Sequence, residues 1–131
     1  LLEISHQGAD ASLSLRKERW RMTAEKMFHD LASKYGEAFH WHMLPSTNQS
    51  FVAELKKEIG ETHFLYHERI RAVAKCDSND DVLFAAGNED GLGIYYLFHL
   101  TYSAKNMVGY PTYIKFKGIQ EVREYLEQDF H

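Results

Sequence analysis

The sequence predicts an α+β fold in which a four-stranded, mainly antiparallel meander sheet over about residues 69–117 packs with two N-terminal helices and one C-terminal helix. Three observations predict it. Apolar residues recur at three- and four-residue spacing before Tyr66 and again after Ile119, they alternate with a period of two in between, and no repeat, linker or low-complexity tract interrupts the chain. Residues 1–131 are therefore expected to form a single domain, with residues 1–11 disordered ahead of the first element.

The first helix is expected over residues 12–35, where Trp20, Ala24, Met27, Leu31 and Tyr35 form one stripe and Gly36 supplies the stop. Residues 37–44, EAFHWHML, are too short and too aromatic for a helix and read as a short strand or extended segment before Pro45. Ser50 is a plausible N-cap for a second helix carrying Val52, Leu55 and Ile59 on one face and ending at Gly60. Ile70, Ala72, Ala74 and Cys76 then alternate with charged residues, and the turn-rich DSNDD at 77–81 leads into a second strand over 82–86. Residues 94–102 are apolar on both faces, as a central, doubly covered strand requires. Pro111 ahead of Tyr113 suits an edge strand, and Ile119, Val122, Leu126 and Phe130 mark the last helix.

Composition narrows the function classes. Fifteen basic against nineteen acidic residues give a net charge of −4, which argues against nucleic acid as a partner. The one locally basic run, Arg16-Lys-Glu-Arg-Trp-Arg21, is broken by Glu18 and reads as a solvated helix face. No apolar run is long enough to cross a bilayer, so no membrane association is expected. A single cysteine, Cys76, forms no intrachain disulfide and suits a reducing cytoplasm.

If both loops between the middle strands are simple hairpins, Ile70, Ala72, Ala74, Leu83, Ala85, Tyr96, Phe98 and Leu100 share the core face. The reverse face then carries Arg69, Arg71, Lys75, Val82, His99 and Thr101 together with Val73, Phe84, Tyr95 and Leu97. It is too apolar to face water. Either one of the chain's helices covers it, or Val73, Phe84, Tyr95 and Leu97 form the interface of a homodimer.

Chemistry-bearing residues are sparse. The pairs His40/His42 and His63/His67 have spacings that suit two metal ligands, but neither has a third at diagnostic distance, so no metal is expected and no cofactor is called for. Asp77, Asp80 and Asp81 form an acidic cluster that turn chemistry explains. The strand pairing sets Asp80 opposite Thr101 and diagonal to His99, which makes an Asp80–His99 couple at the sheet rim feasible. Ser103 lies near that rim without a nucleophile elbow, and Gly87, Gly91 and Gly93 lack the spacing of a phosphate-binding loop.

The stretches Glu54-Leu-Lys-Lys-Glu-Ile-Gly60, Thr62-His-Phe-Leu-Tyr66, Ala72-Val-Ala74, Asp80-Asp-Val-Leu-Phe84 and His99-Leu-Thr-Tyr-Ser103, with Lys105 and Pro111, resemble a set of small bacterial proteins of unknown function. Those proteins place a DDVLF strand before a VHLTW-S-x-K strand. The resemblance covers about residues 54–125; Tyr102 stands where that set prefers Trp, and His67 where Gly is expected. It implies a one-domain cytoplasmic bacterial protein and picks out His63, Asp80, Asp81, His99, Thr101, Ser103 and Lys105. The function expected from all of this is a small intracellular binding or interaction module, of the accessory or immunity-protein kind, with a protein partner. The alternative is a small-molecule-binding protein or enzyme with a polar rim site around His99, Asp80 and Lys105.

Overall fold

A computed structural model of the chain describes residues 21–86, 94–102 and 111–128. Helix α1, described over residues 21–35, buries Ala24, Met27, Phe28 and Leu31, the stripe that its periodicity predicts. Gly36 ends it at φ +58 and opens a short 3-10 turn, Gly36–Ala38. Strand β1 (Trp41–Met43) follows, then α2 (Ser50–Ile59), whose C-cap Gly60 adopts φ +77. Strands β2 (Ile70–Cys76), β3 (Asp81–Ala86), β4 (Tyr95–His99) and β5 (Thr112–Phe116) lead to α3 (Ile119–Gln128). The expected start of α1, its Trp20 and the first eleven residues lie outside the described residues.

The sheet has five strands in the order β1-β2-β3-β4-β5, every neighbouring pair antiparallel. The expected count of four is corrected by β1, which pairs Trp41, His42 and Met43 with Cys76, Lys75 and Ala74. Three residues are too few to show a period of two, so this strand is set by its pairing and by the packing of Trp41 and Met43 on the α1 layer.

The two faces of the sheet also differ from the expected assignment. Strand β3 pairs Leu83 with Leu97 and Phe84 with Tyr96, one residue away from the simple-hairpin register. In β2 a bulge at Val73 separates Ala72, opposite Phe84, from Ala74, opposite Leu83, so the strand changes face midway. One layer therefore joins Val73, Ala74, Leu83, Tyr95, Leu97 and Phe116 to α1 and α3. The other joins Ile70, Ala72, Val82, Phe84, Tyr96 and Phe98 to Leu55 and Ile59 of α2, with Leu44 and Leu65.

The chain's own helices thus cover both faces. The four residues expected at a homodimer interface are core: Val73 and Phe84 are 0% exposed, Tyr95 2% and Leu97 5%, with Phe84 in the opposite layer from the other three. Strands β3 and β4 are apolar on both sides, so alternation carried no information about which side faces a helix. Helix α3 is tied to the end of α1 through Glu127, which accepts hydrogen bonds from Arg123 Nε (2.8 Å), Tyr35 Oη (3.0 Å) and Lys34 Nζ (3.1 Å). Those donors, Arg123 first, hold its carboxyl down at about 2.

Candidate functional site

At the rim formed by the start of β3 and the end of β4, Asp81 pairs in register with His99, and Asp81 Oδ1 lies 2.8 Å from His99 Nδ1. The expected Asp80–His99 couple is therefore replaced by Asp81–His99, because the true register is shifted by one residue. Asp80 contributes its backbone carbonyl, which accepts the N–H of Leu100 at 3.1 Å. Through this contact the carboxylate fixes the orientation of the His99 ring at the rim. Ser103 and Lys105, also expected here, lie outside the described residues.

Thr101 belongs to a different constellation. Glu58, only 4% exposed on α2, accepts from Thr101 N–H and Thr101 Oγ1, both at 2.8 Å, and from Tyr102 N–H at 3.0 Å. Tyr102 holds φ +56, a left-handed conformation unusual for a residue with a Cβ, and its backbone N–H is presented to the carboxylate in that conformation. Burial pushes the Glu58 carboxyl up, but hydrogen bonds from Glu54, Thr101 and Tyr102 outweigh it and leave the group below the usual carboxylate range.

Glu54, one turn earlier on α2, is shifted the opposite way, first by its hydrogen bond with Glu58 and then by burial. Its Oε1 is 3.0 Å from Lys57 Nζ, while among the described residues its buried Oε2 has no donor to accept from. When Glu54 is protonated, that oxygen can donate to the ionised Glu58, which is the first cause of its raised pKa. Sequence reasoning missed both residues. The available signal was two carboxylates at i, i+4 beside the apolar stripe of α2, a repulsive arrangement unless one is neutral.

His63 stands apart from both groups, on the α2 side of the sheet toward β5. Its ring stacks on Phe64 with centroids 4.5 Å apart and meets Phe98 and Tyr113 edge-on at 6.4 and 6.2 Å. Its Nδ1 accepts the N–H of Leu65 at 3.1 Å, and burial lowers its pKa, which favours the neutral ring. Around it Phe64 is 57% exposed and Tyr113 44%, and Tyr113 packs on Phe98 and Tyr96 at 5.1 and 5.8 Å. Among the described residues, helix α2 and the segment after it pack on β2 to β4 and leave Phe64 and Tyr113 exposed at this margin of the sheet.

The other described histidines of the two expected pairs have separate partners. His42 is engaged by Asp77 at 2.6 Å, His40 lines a shallow depression of about 280 Å³ with Cys76 and Asp81, and His67 packs edge-on against Tyr66. Among the described residues no group of three or more His, Cys, Asp or Glu is arranged to hold an ion. The Cys76 thiol is buried and lies 3.3 Å from Ser78 Oγ. The rim can orient an imidazole and bind polar groups; of the three residues expected to converge on a ligand, His99 and Asp80 are described there, and Lys105 lies outside the described residues.

Comparison with known protein families, with curated proteins and with solved structures returns no match. The described residues form an antiparallel five-stranded meander with helices on both faces, the Glu58 carboxylate holding the chain just after β4 and exposed aromatic residues at the β5 margin.

Proposed function

We propose that the protein is a small cytoplasmic bacterial interaction module that binds an extended segment of a partner protein along β5. The observation that carries this reading is the exposure of Phe64 and Tyr113 beside an edge strand. Among the described residues β5 pairs only with β4, so its outer backbone groups are open to a further strand. Thr112, Tyr113, Ile114 and Lys115 are all exposed. Tyr113 and Lys115 lie opposite Phe98 and Tyr96 and so point to the same face.

That spacing favours a partner strand with an apolar side chain against Tyr113 and Phe64 and an acidic one against Lys115, two residues apart. The burial of Val73, Phe84, Tyr95 and Leu97 moves the interaction surface away from the broad face of the sheet to its margin. Among the described residues no helix is long and apolar enough to cross a membrane, in keeping with this reading.

Selection of random peptides on the full chain tests the proposal. Enriched peptides are expected to share an apolar and an acidic residue at i, i+2, to bind at least about tenfold more weakly to Tyr113→Ser, and to give way to basic peptides on Lys115→Glu. Enrichment without that pattern, or binding that both substitutions leave unchanged, would overturn it.

A further inference from the structure

The aromatic margin at β5 is built around a ring that can carry charge. His63, Phe64 and Tyr113 form a triangle, with centroids 4.5 Å apart for His63 and Phe64 and 6.2 Å for each of the other two pairs. Phe64 and Tyr113 are the exposed corners, and the half-buried imidazole is the third. An apolar side chain seated on both therefore lies against His63 as well.

The hydrogen bonding requires that ring to be neutral. Leu65 N–H donates to His63 Nδ1 at 3.1 Å, so that nitrogen keeps its lone pair and the ring proton belongs on Nε2. Protonation would set two donors face to face and break this bond, inside the turn that Tyr66 N–H closes on the His63 carbonyl at 3.0 Å and that carries Phe64. Burial acts in the same direction and holds the pKa below the ordinary 6.5; among the described residues it is the only cause of the shift. Strand β5 presents the phenol ring of Tyr113 to His63, and β4 contributes Phe98 and, beyond Phe64, the phenol of Tyr96. No shift of His63 comes from Lys56, Lys57 or Glu58 in the last turn of α2, or from Glu61, His67 or Glu68 on its own segment.

We propose, on the basis of the docking reading of β5, that His63 gates this margin: a partner strand seats on the neutral imidazole and is released when its surroundings acidify. A partner laid over Phe64 and Tyr113 removes more water from the ring beside them and makes charging it costlier still. By reciprocity, protonation of the ring weakens the partner's hold by the same factor. Affinity is complete above the folded-state value of His63, which lies below 6.5, and declines as pH falls through it, by at most about tenfold per pH unit for one proton.

The test follows the His63 ring by NMR in the full chain between about pH 8 and about pH 5, free and saturated with a peptide selected on the chain and weakened by Tyr113→Ser. In the free chain the Leu65 amide is expected to titrate with the midpoint of the ring, because its hydrogen bond is lost as the ring charges. In the complex the ring midpoint should be lower by about half a pH unit or more, and the peptide should bind about threefold or more weakly at about pH 5 than at about pH 7.5. His63→Asn keeps a side-chain oxygen that can accept the Leu65 N–H but carries no titrating group. Its affinity should change by less than about 1.5-fold over the same range, whatever the absolute value. An equal or higher His63 midpoint in the complex, a Leu65 amide that does not follow the ring, equal affinity at both pH values, or a pH dependence that persists in His63→Asn would overturn the gate while leaving the docking site standing. Failure to find any peptide that Tyr113→Ser weakens would instead remove the docking site and the gate together.

Discussion

Glu58 Oε1 accepts two hydrogen bonds from one residue, Thr101, through its backbone N–H and its hydroxyl, each 2.8 Å long. A single buried carboxylate on α2 thereby fixes the point at which the chain leaves β4. Glu54 beside it is shifted the opposite way, which separates the roles of two residues that look alike in the sequence.

Glu58→Gln should cost roughly 3 kcal/mol in stability, because an amide N–H₂ would face the N–H groups of Thr101 or Tyr102 and leave a buried donor unsatisfied. Glu54→Gln should cost less, because its amide can donate to Glu58 while its oxygen still accepts from Lys57. Urea unfolding of the two variants at neutral pH checks the contrast; equal losses would show that the two carboxyl groups do not differ in role.

The same pair sets a pH dependence with a slope on each side. Glu54, raised in the folded state, contributes stability that is present below its unfolded value of 4.5 and is lost as pH rises through its higher folded value. Glu58, lowered in the folded state, contributes stability that is present above 4.5 and is lost as pH falls through its lower folded value. Glu54→Gln should therefore flatten the decline above 4.5 and leave the acid limb in place, as read by thermal melts across pH.

On the other layer Glu127 gives an acid limb of its own. Its carboxyl falls from 4.5 to about 2 on folding, so its contribution is present above 4.5 and disappears as pH drops toward 2. Glu127→Gln should shrink the fall in melting temperature over that interval. An unchanged acid limb would show that the bridge from Arg123, Tyr35 and Lys34 does not form in solution.

Substitutions at the broad sheet face should act on folding rather than on assembly. Phe84→Ala, at a site 0% exposed, should cost about 3–5 kcal/mol. Its effect on denaturant midpoint should be accompanied by no change in the mass that light scattering reports under native conditions. Tyr95, whose phenol burial pushes up to about 12, should resist ionisation until the fold gives way, so stability should fall as pH rises from 10 toward 12.

The glycine stops were legible because they rest on local signals: Gly36 and Gly60 end their helices in conformations that a Cβ would strain. Helix α2 spans Ser50–Ile59, but its N-cap is Gln49 without a side-chain cap bond, not the expected Ser50, which is the first helical residue. The rim was legible only in part: His99 does meet an aspartate, but the choice between Asp80 and Asp81 depends on a register that the doubly apolar strands β3 and β4 leave open. The bulge at Val73 has no sequence mark, since Val suits a regular strand as well as a bulged one. Glu58 was passed over because charged residues on a helix usually face water, and its burial arises from a contact 43 positions away in the chain.

The change of face at Val73 has a mechanical side. Ile70 and Ala72 are embedded beneath α2, whereas Val73 and Ala74, the next residues along the same strand, are embedded beneath α1 and α3. One strand is thus threaded through both cores like a beam set into two walls, and neither core can melt while the other keeps its half of β2 in place. The two layers are accordingly expected to unfold in a single transition rather than as separable units.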